Sequence, residues 1–273
     1  MAFGGDNADS YYDEGLTASM KGDVVQAIRH FEQALKLDNT HLAAYHQLGR
    51  CYHRLGHTQK AADILTVVVK KKPGQVPPRL DLGFVYLDLG HLDHAHRLFS
   101  EVAVAKPDQH RAQLGLAYCA FQEGHWEAAM GLAQAAVLQG GSNFATHFLL
   151  GRAARLSDRY EVAQEALEKA ESLIQRSIES SPEQPEAYYL RGEVHFTQEN
   201  YTKALEDYRL AEERVKDGQH YSAFNEHFTK VDVLAKRGVC LQKLGRAGDA
   251  RAVGEAILAL DPEHALGKML TAG

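Results

Sequence analysis

Cysteine is scarce in this chain, with three residues among 273, Cys51, Cys119 and Cys240. They lie far apart, in odd number and with no CxxC pair, which excludes a disulfide framework and suits a reduced compartment. The opening MAFGGDNADSYYDEG is acidic and lacks the apolar run of a secretory leader. Long hydrophobic runs are also missing. The longest aliphatic stretch, near Ile64 to Val69, is interrupted by Thr66 and closed by Lys70, Lys71 and Lys72, so no segment is suited to membrane insertion. Basic residues are outnumbered, 30 against 36 acidic, for a formal charge of −6. That balance disfavours nucleic acid as a partner. Strand-like alternation of useful length is absent. The remainder, 45% hydrophobic, is ample for a core, and these features together predict a cytoplasmic protein.

Catalytic signatures are lacking too. There is no GxxxxGK[ST], GxSxG or HExxH, and no GxGxxG after a strand, so neither an enzyme nor a cofactor is expected. The GGS at Gly140–Ser142 reads as a linker. Fifteen histidines raise a metal-dependent sensor or enzyme as an alternative, chiefly at His91, His94 and His96. His94 and His96, two apart on a helix, point to different faces, and His91 with His94 supplies only two neutral ligands. His46, Arg50, His53 and His57 share one helical face, but the arginine opposes a cation. No metal site is expected. Cys51, within LGRCYHRLGHTQKAADIL, reads as a small packing residue.

What the chain does have is a period. Gly49 and Ala61, twelve apart, recur as Gly15/Ala27, Gly83/Ala95, Gly151/Ala163, Gly192/Ala204 and Gly238/Ala250, with Ala117/Ala129 as a further copy. Units therefore start near residues 8, 42, 76, 110, 144, 185 and 231, the first five spaced by 34. Small residues on both helices of a pair let two backbones approach closely. Between them lie Gly22, Gly56, Gly90, Gly124 and Gly245, with Asp158 and Glu199–Asn200 in the other two units, positions where a helix ends. All seven prolines sit at unit boundaries. Two insertions break the period. Near 171–184, Leu167, Ala170, Ile174 and Ile178 continue one apolar stripe, predicting a helix about two turns longer before Pro182. Near 216–230, Gly218 ends a helix and Ser222 is placed to cap another carrying Phe224, Phe228 and Val231; these rings either seal that helix or form a docking knob. After Pro262, Ala265, Leu266, Met269 and Leu270 are expected to cover the last unit.

The pattern of aromatic, Leu-Gly, Tyr, Ala, Phe, Ala and Pro resembles the tetratricopeptide repeat family. Tyr45, Leu48, Gly49, Tyr52, Ala61, Leu65, Val68 and Pro73 carry it in one unit, Leu82, Gly83, Tyr86, Ala95, Phe99, Val102 and Pro107 in the next. The likeness extends from residue 8 to about 264. It implies an all-α fold, a right-handed α-α superhelical solenoid of seven helix pairs with a short C-terminal capping helix, in which 1–7 is a tail, 8–262 the solenoid and 263–273 the cap.

The resemblance further implies that the first helix of each unit lines a concave groove. Its offsets place Tyr12, His46, Arg50, His53, Phe84, Arg111, Tyr118, Phe121, Phe148, Arg152, Arg155, Tyr189 and Phe196 there. Over the second to fifth units five arginines face two aspartates, a local surplus of +3 inside an acidic protein. Rings offer large contact area at low entropic cost, and arginines give directional donors to carboxylates. The expectation is a non-enzymatic adaptor that binds a peptide segment with apolar and acidic side chains. The Lys/Asn pairs with which chaperone-binding members hold a C-terminal carboxylate are not found: the matching pairs include His46/Arg50, Leu80/Phe84 and Phe148/Arg152. The alternative is a self-assembling homo-oligomer that docks through Tyr11–Tyr12 or the 221–228 insertion.

Overall fold

The computed structural model describes residues 7–272; of the expected N-terminal tail, all but Asn7 lies outside the described residues. The chain divides after Gly140 into two units. Unit 1 holds α1 (Ala8–Met20), α2 (Val24–Leu37), α3 (Leu42–Arg54), α4 (Thr58–Lys71), α5 (Val76–Asp88), α6 (Leu92–Ala105), α7 (His110–Gln122) and α8 (Trp126–Leu138). Unit 2 holds α9 (Phe144–Leu156), α10 (Tyr160–Ser180), α11 (Pro185–Thr197) and α12 (Tyr201–Glu212). It continues through a hairpin of β1 (Tyr221–Ala223) and β2 (Glu226–Phe228) to α13 (Lys230–Lys243), α14 (Ala247–Leu260) and α15 (Ala265–Ala272). Within each unit, consecutive helices pack as pairs, and each pair packs on the next pair of the same unit. Among the described residues no helix is long and apolar enough to cross a membrane.

The pairs close where the sequence is small. A Cβ at position 49 would come 2.7 Å from Leu65, and one at 192 would come 2.7 Å from Tyr208, so glycine is what lets these helices meet. Turns between helices of a pair use left-handed backbone, as at Gly56 (φ 76°). Asp158 and Glu199 adopt the same conformation at φ 57° and 59° without glycine's freedom. The first insertion lengthens α10 to 21 residues, and Leu167, Ala170, Ile174 and Ile178 all lie buried on its inner stripe.

The second insertion is not helical. Ser222 caps nothing; it sits in β1, opposite His227. Phe224 and Asn225 form the tip, both at positive φ (52° and 64°), the turn that matches strand twist in a two-residue hairpin. Helix α13 begins only after it, with Thr229 and Asp232 capping each other. At the C-terminus Leu270 is buried against Gly238 and Gly254, whereas Met269, expected to help cover the last pair, is 54% exposed.

Candidate protein-interaction site

On unit 1 the first helices α3, α5 and α7 bring three basic side chains to one carboxylate. Asp81 of α5 is 2.8 Å from His46 Nε2 of α3, 2.7 Å from the Arg111 guanidinium of α7 and 3.7 Å from Arg50 Nε of α3. Burial pushes the Asp81 carboxyl up, but the hydrogen bond from His46 and the charge and hydrogen bond of Arg111 outweigh it, and the net shift is down. Arg50 and Arg111 nevertheless keep 55% and 41% of their side chains exposed. One turn along α3, His53 pairs with Asp88.

The rings of this unit do not form an open wall. Phe84 and Tyr118 are buried, Phe84 lying edge-on to Phe99 at 5.0 Å and to Tyr118 at 6.4 Å, in the seam between helix pairs. Phe121 packs on Trp126 at 5.1 Å, and Tyr12 sits between Phe31 (5.8 Å) and His41 (4.9 Å). Filling a seam stabilises more than lining a surface, so large rings at these offsets are drawn inward. What the first-helix face of unit 1 presents is the edge of the two guanidiniums, with Arg111 stacked 5.5 Å over Phe84.

On unit 2 the corresponding face is covered by the chain itself. The hairpin lies across α9 and α11. Phe228 stacks on Tyr189 with centroids 4.0 Å apart and planes at 12°, Phe224 meets Phe144 at 5.2 Å, and Glu226 accepts a 3.0 Å hydrogen bond from Arg152. Tyr189 under Phe228 and Phe148 against Phe144 are buried, at 5% and 1% exposure, and the Arg152 guanidinium rests 5.3 Å over the Phe148 ring. Burial raises the Glu226 carboxyl pKa, partly countered by Arg152. Arg155 pairs with Glu199 at 2.7 Å, and Phe196 is half-buried against Tyr201 with Lys236 over its ring. Two charges of the +3 surplus counted along the offsets, those of Arg152 and Arg155, are thus met by Glu226 and Glu199, which no offset includes. Glu226 went unnoticed because the insertion reads as helix; Asn225 between YSA and EHF was the available turn signal.

Beneath this face lies a buried polar network. Asp207 of α12 accepts from Arg191 Nε at 3.0 Å and lies 2.8 Å from His195 Nδ1, whose Nε2 is 3.1 Å from Glu171. Glu193 accepts from the Tyr208 hydroxyl at 2.6 Å and from Lys236 at 2.8 Å. Each group is satisfied by its neighbours, the arrangement of a structural network. An open depression of about 410 Å³ on α12, α13 and α14 has Leu205, Leu234, Leu241 and Val253 in its lining. Its arginines are engaged, Arg209 with Glu206, Arg237 with Glu212 and Arg246 with Asp249. His91 and His94 each pack against Tyr86, at 5.9 and 5.3 Å.

The three cysteines are buried. Burial raises the Cys51 thiol and, with nearby Glu123 and Glu193 respectively, pushes Cys119 and Cys240 up to about 12. Thiolate is the reactive form, so native protein should show no fast phase with a disulfide reagent and three reactive thiols in denaturant. A rapidly titrating thiol in the native state would contradict this packing.

Stacked helix pairs joined by tight turns define an α-solenoid, the architecture of protein-interaction scaffolds. Family models described as tetratricopeptide repeat match residues 19–77 in one case and 80–144 and 148–218 in another. The chain belongs to the tetratricopeptide repeat family. A search of curated proteins found no match. Among solved structures, a tetratricopeptide repeat protein from Parabacteroides merdae is similar over 98% of both chains, with a TM-score of 0.60 and 13% identity. The Cut9–Hcn1 hetero-tetramer of the APC/C contains a chain similar at TM-score 0.68 and 20% identity, over 95% of this chain and 48% of that one. MamA from Desulfovibrio magneticus RS-1 matches 63% of this chain and 97% of its own at TM-score 0.53 and 23% identity. These are likenesses of fold.

Proposed function

We propose that this protein is a non-enzymatic adaptor that holds an extended segment of a partner protein against its first-helix faces. Acidic side chains of the segment meet arginines there, and aromatic side chains meet rings. The observation that carries this reading is the hairpin of unit 2. It occupies the α9/α11 face as a bound peptide would, ring against ring and carboxylate against guanidinium. In unit 1, Arg50 and Arg111 offer the carboxylate half of that chemistry, since both lie against Asp81, at 3.7 and 2.7 Å, and 55% and 41% of their side chains stay exposed. A fixed, partly desolvated arginine loses less entropy on binding a carboxylate than a mobile one.

The reading that the partner is another copy draws less support. Tyr12 packs inside unit 1, Tyr11 stacks on His30, and the 221–228 segment docks on its own unit. A labelled peptide of alternating glutamate and phenylalanine, titrated by fluorescence anisotropy, tests the adaptor reading on the wild-type chain. Arg50→Ala/Arg111→Ala should weaken binding by about 1–3 kcal/mol, while Arg97→Ala, an exposed arginine of α6, should not. Equal losses from both would remove the first-helix face from the account.

A further inference from the structure

The hairpin raises a question of permanence. Two strands of three residues are marginal on their own, so the element depends on what it lies against. Its tip carries Phe224 at φ 52°, a conformation that asparagine tolerates and phenylalanine rarely takes. That ring is still 42% exposed although it touches Phe144. Both ends of the segment are fixed independently of the docking. Gly218, at φ 69°, turns the chain after α12, and Thr229 with Asp232 caps α13. Lys230 pairs with Asp217 at 2.7 Å and clasps the base. The segment is therefore anchored at both ends, with Tyr221 and Phe228 buried between them.

The side chains facing the helices follow from the register. Tyr221 opposes Phe228 and Ala223 opposes Glu226, so these four share one face, and two of them are buried. Along the chain the residues that engage α9 and α11 read Phe224, Glu226, Phe228: ring, acid, ring at alternate positions. Each meets a different residue of the face: Phe144 and Arg152 of α9, and Tyr189 of α11.

Resting on the adaptor reading above, we infer that the α9/α11 face is a binding surface for an extended partner segment with an acidic residue flanked at alternate positions by aromatics, and that residues 219–229 occupy it in cis until such a segment displaces them. Tethered beside its site, the hairpin competes at an effective concentration on the order of millimolar, so a trans ligand is suppressed while it is docked.

The test uses a labelled synthetic peptide of residues 219–229 and the full chain. Phe224→Ala/Glu226→Ala should loosen the hairpin and raise affinity for the peptide by at least about tenfold over wild type. Adding Arg152→Ala to that variant should then lower affinity by at least about thirtyfold. Hydrogen exchange on the unmodified chain gives a readout that needs no variant to fold: amides of 219–229 should exchange well before those of α9 and α11. The inference is overturned if the loosened variant, helical by circular dichroism, binds the peptide no better than wild type. It is equally overturned if the hairpin exchanges only together with α11, which would make it fixed core. A concentration-dependent wild-type dimer that is lost with Glu226→Ala would replace the partner segment by a second copy's hairpin. Because the hairpin stays docked in the Arg50 and Arg111 experiment, failure there bears on unit 1 and failure here on unit 2.

Discussion

Asp207→Ala should destabilise unit 2 by about 3–5 kcal/mol, more than any groove substitution considered above. Asp207 is 2% exposed and bonds Arg191 and His195. Burial alone would depress the Arg191 pKa, yet the Asp207 hydrogen bond and charge hold it above the ordinary value. Removing the carboxylate leaves a guanidinium, 19% exposed, without its main counter-charge and withdraws one partner of His195. The loss exceeds that of a surface pair because water cannot re-solvate these groups in place. Chemical denaturation followed by circular dichroism, with hydrogen exchange over α11 and α12, measures it. Arg191→Met/Asp207→Leu should recover part of the loss, since the unpaired charge goes with its partner. A cost for Asp207→Ala below about 1 kcal/mol would mean that the network is hydrated and contributes little.

The helix pairs were legible in the sequence because their cause is local. Gly49 opposite Leu65 and Gly192 opposite Tyr208 must be small whatever lies beyond them, and the spacing of sixteen simply repeats. The long α10 could be read for the same reason, an apolar stripe kept in phase from Leu167 to Ile178. The candidate site was legible only as a set of positions. Offsets name which residues lie on the first helices, but whether Phe84 points into a seam or outward depends on Phe99 and Tyr118, the rings of two other helices that it packs against. Whether Arg152 is available depends on Glu226, 74 residues away. No periodic rule carries that information. The hairpin was missed because its strands are too short to show alternation, and because Phe at a left-handed turn position contradicts the local preference that sequence reasoning relies on.

Phe99→Ala should cost unit 1 about 3–5 kcal/mol, toward the upper part of the range for a buried ring. Phe99 is fully buried on α6, with Gly83 of its own pair on one side and Gly115 of the next pair on the other. A Cβ on either glycine would come within 2.6 Å of the ring, so the ring fills the space that those two side chains forgo. Truncation therefore leaves a void whose walls are partly backbone, which relaxes less readily than side chains do. Trp126, the single tryptophan, lies on α8 and makes its fluorescence a probe of unit 1 alone. Its unfolding midpoint should fall sharply in Phe99→Ala and move less in Phe99→Leu. The geometry also sets a sign reversal. Gly115→Ala in the wild-type chain drives a methyl into the ring and should destabilise by about 1–3 kcal/mol, whereas in Phe99→Ala the same methyl enters an empty space and should be neutral or favourable. A double-mutant cycle reads this as a coupling of at least about 1 kcal/mol. Additive effects would show that the ring does not bridge the two glycines, and that neighbouring pairs in unit 1 meet through other residues.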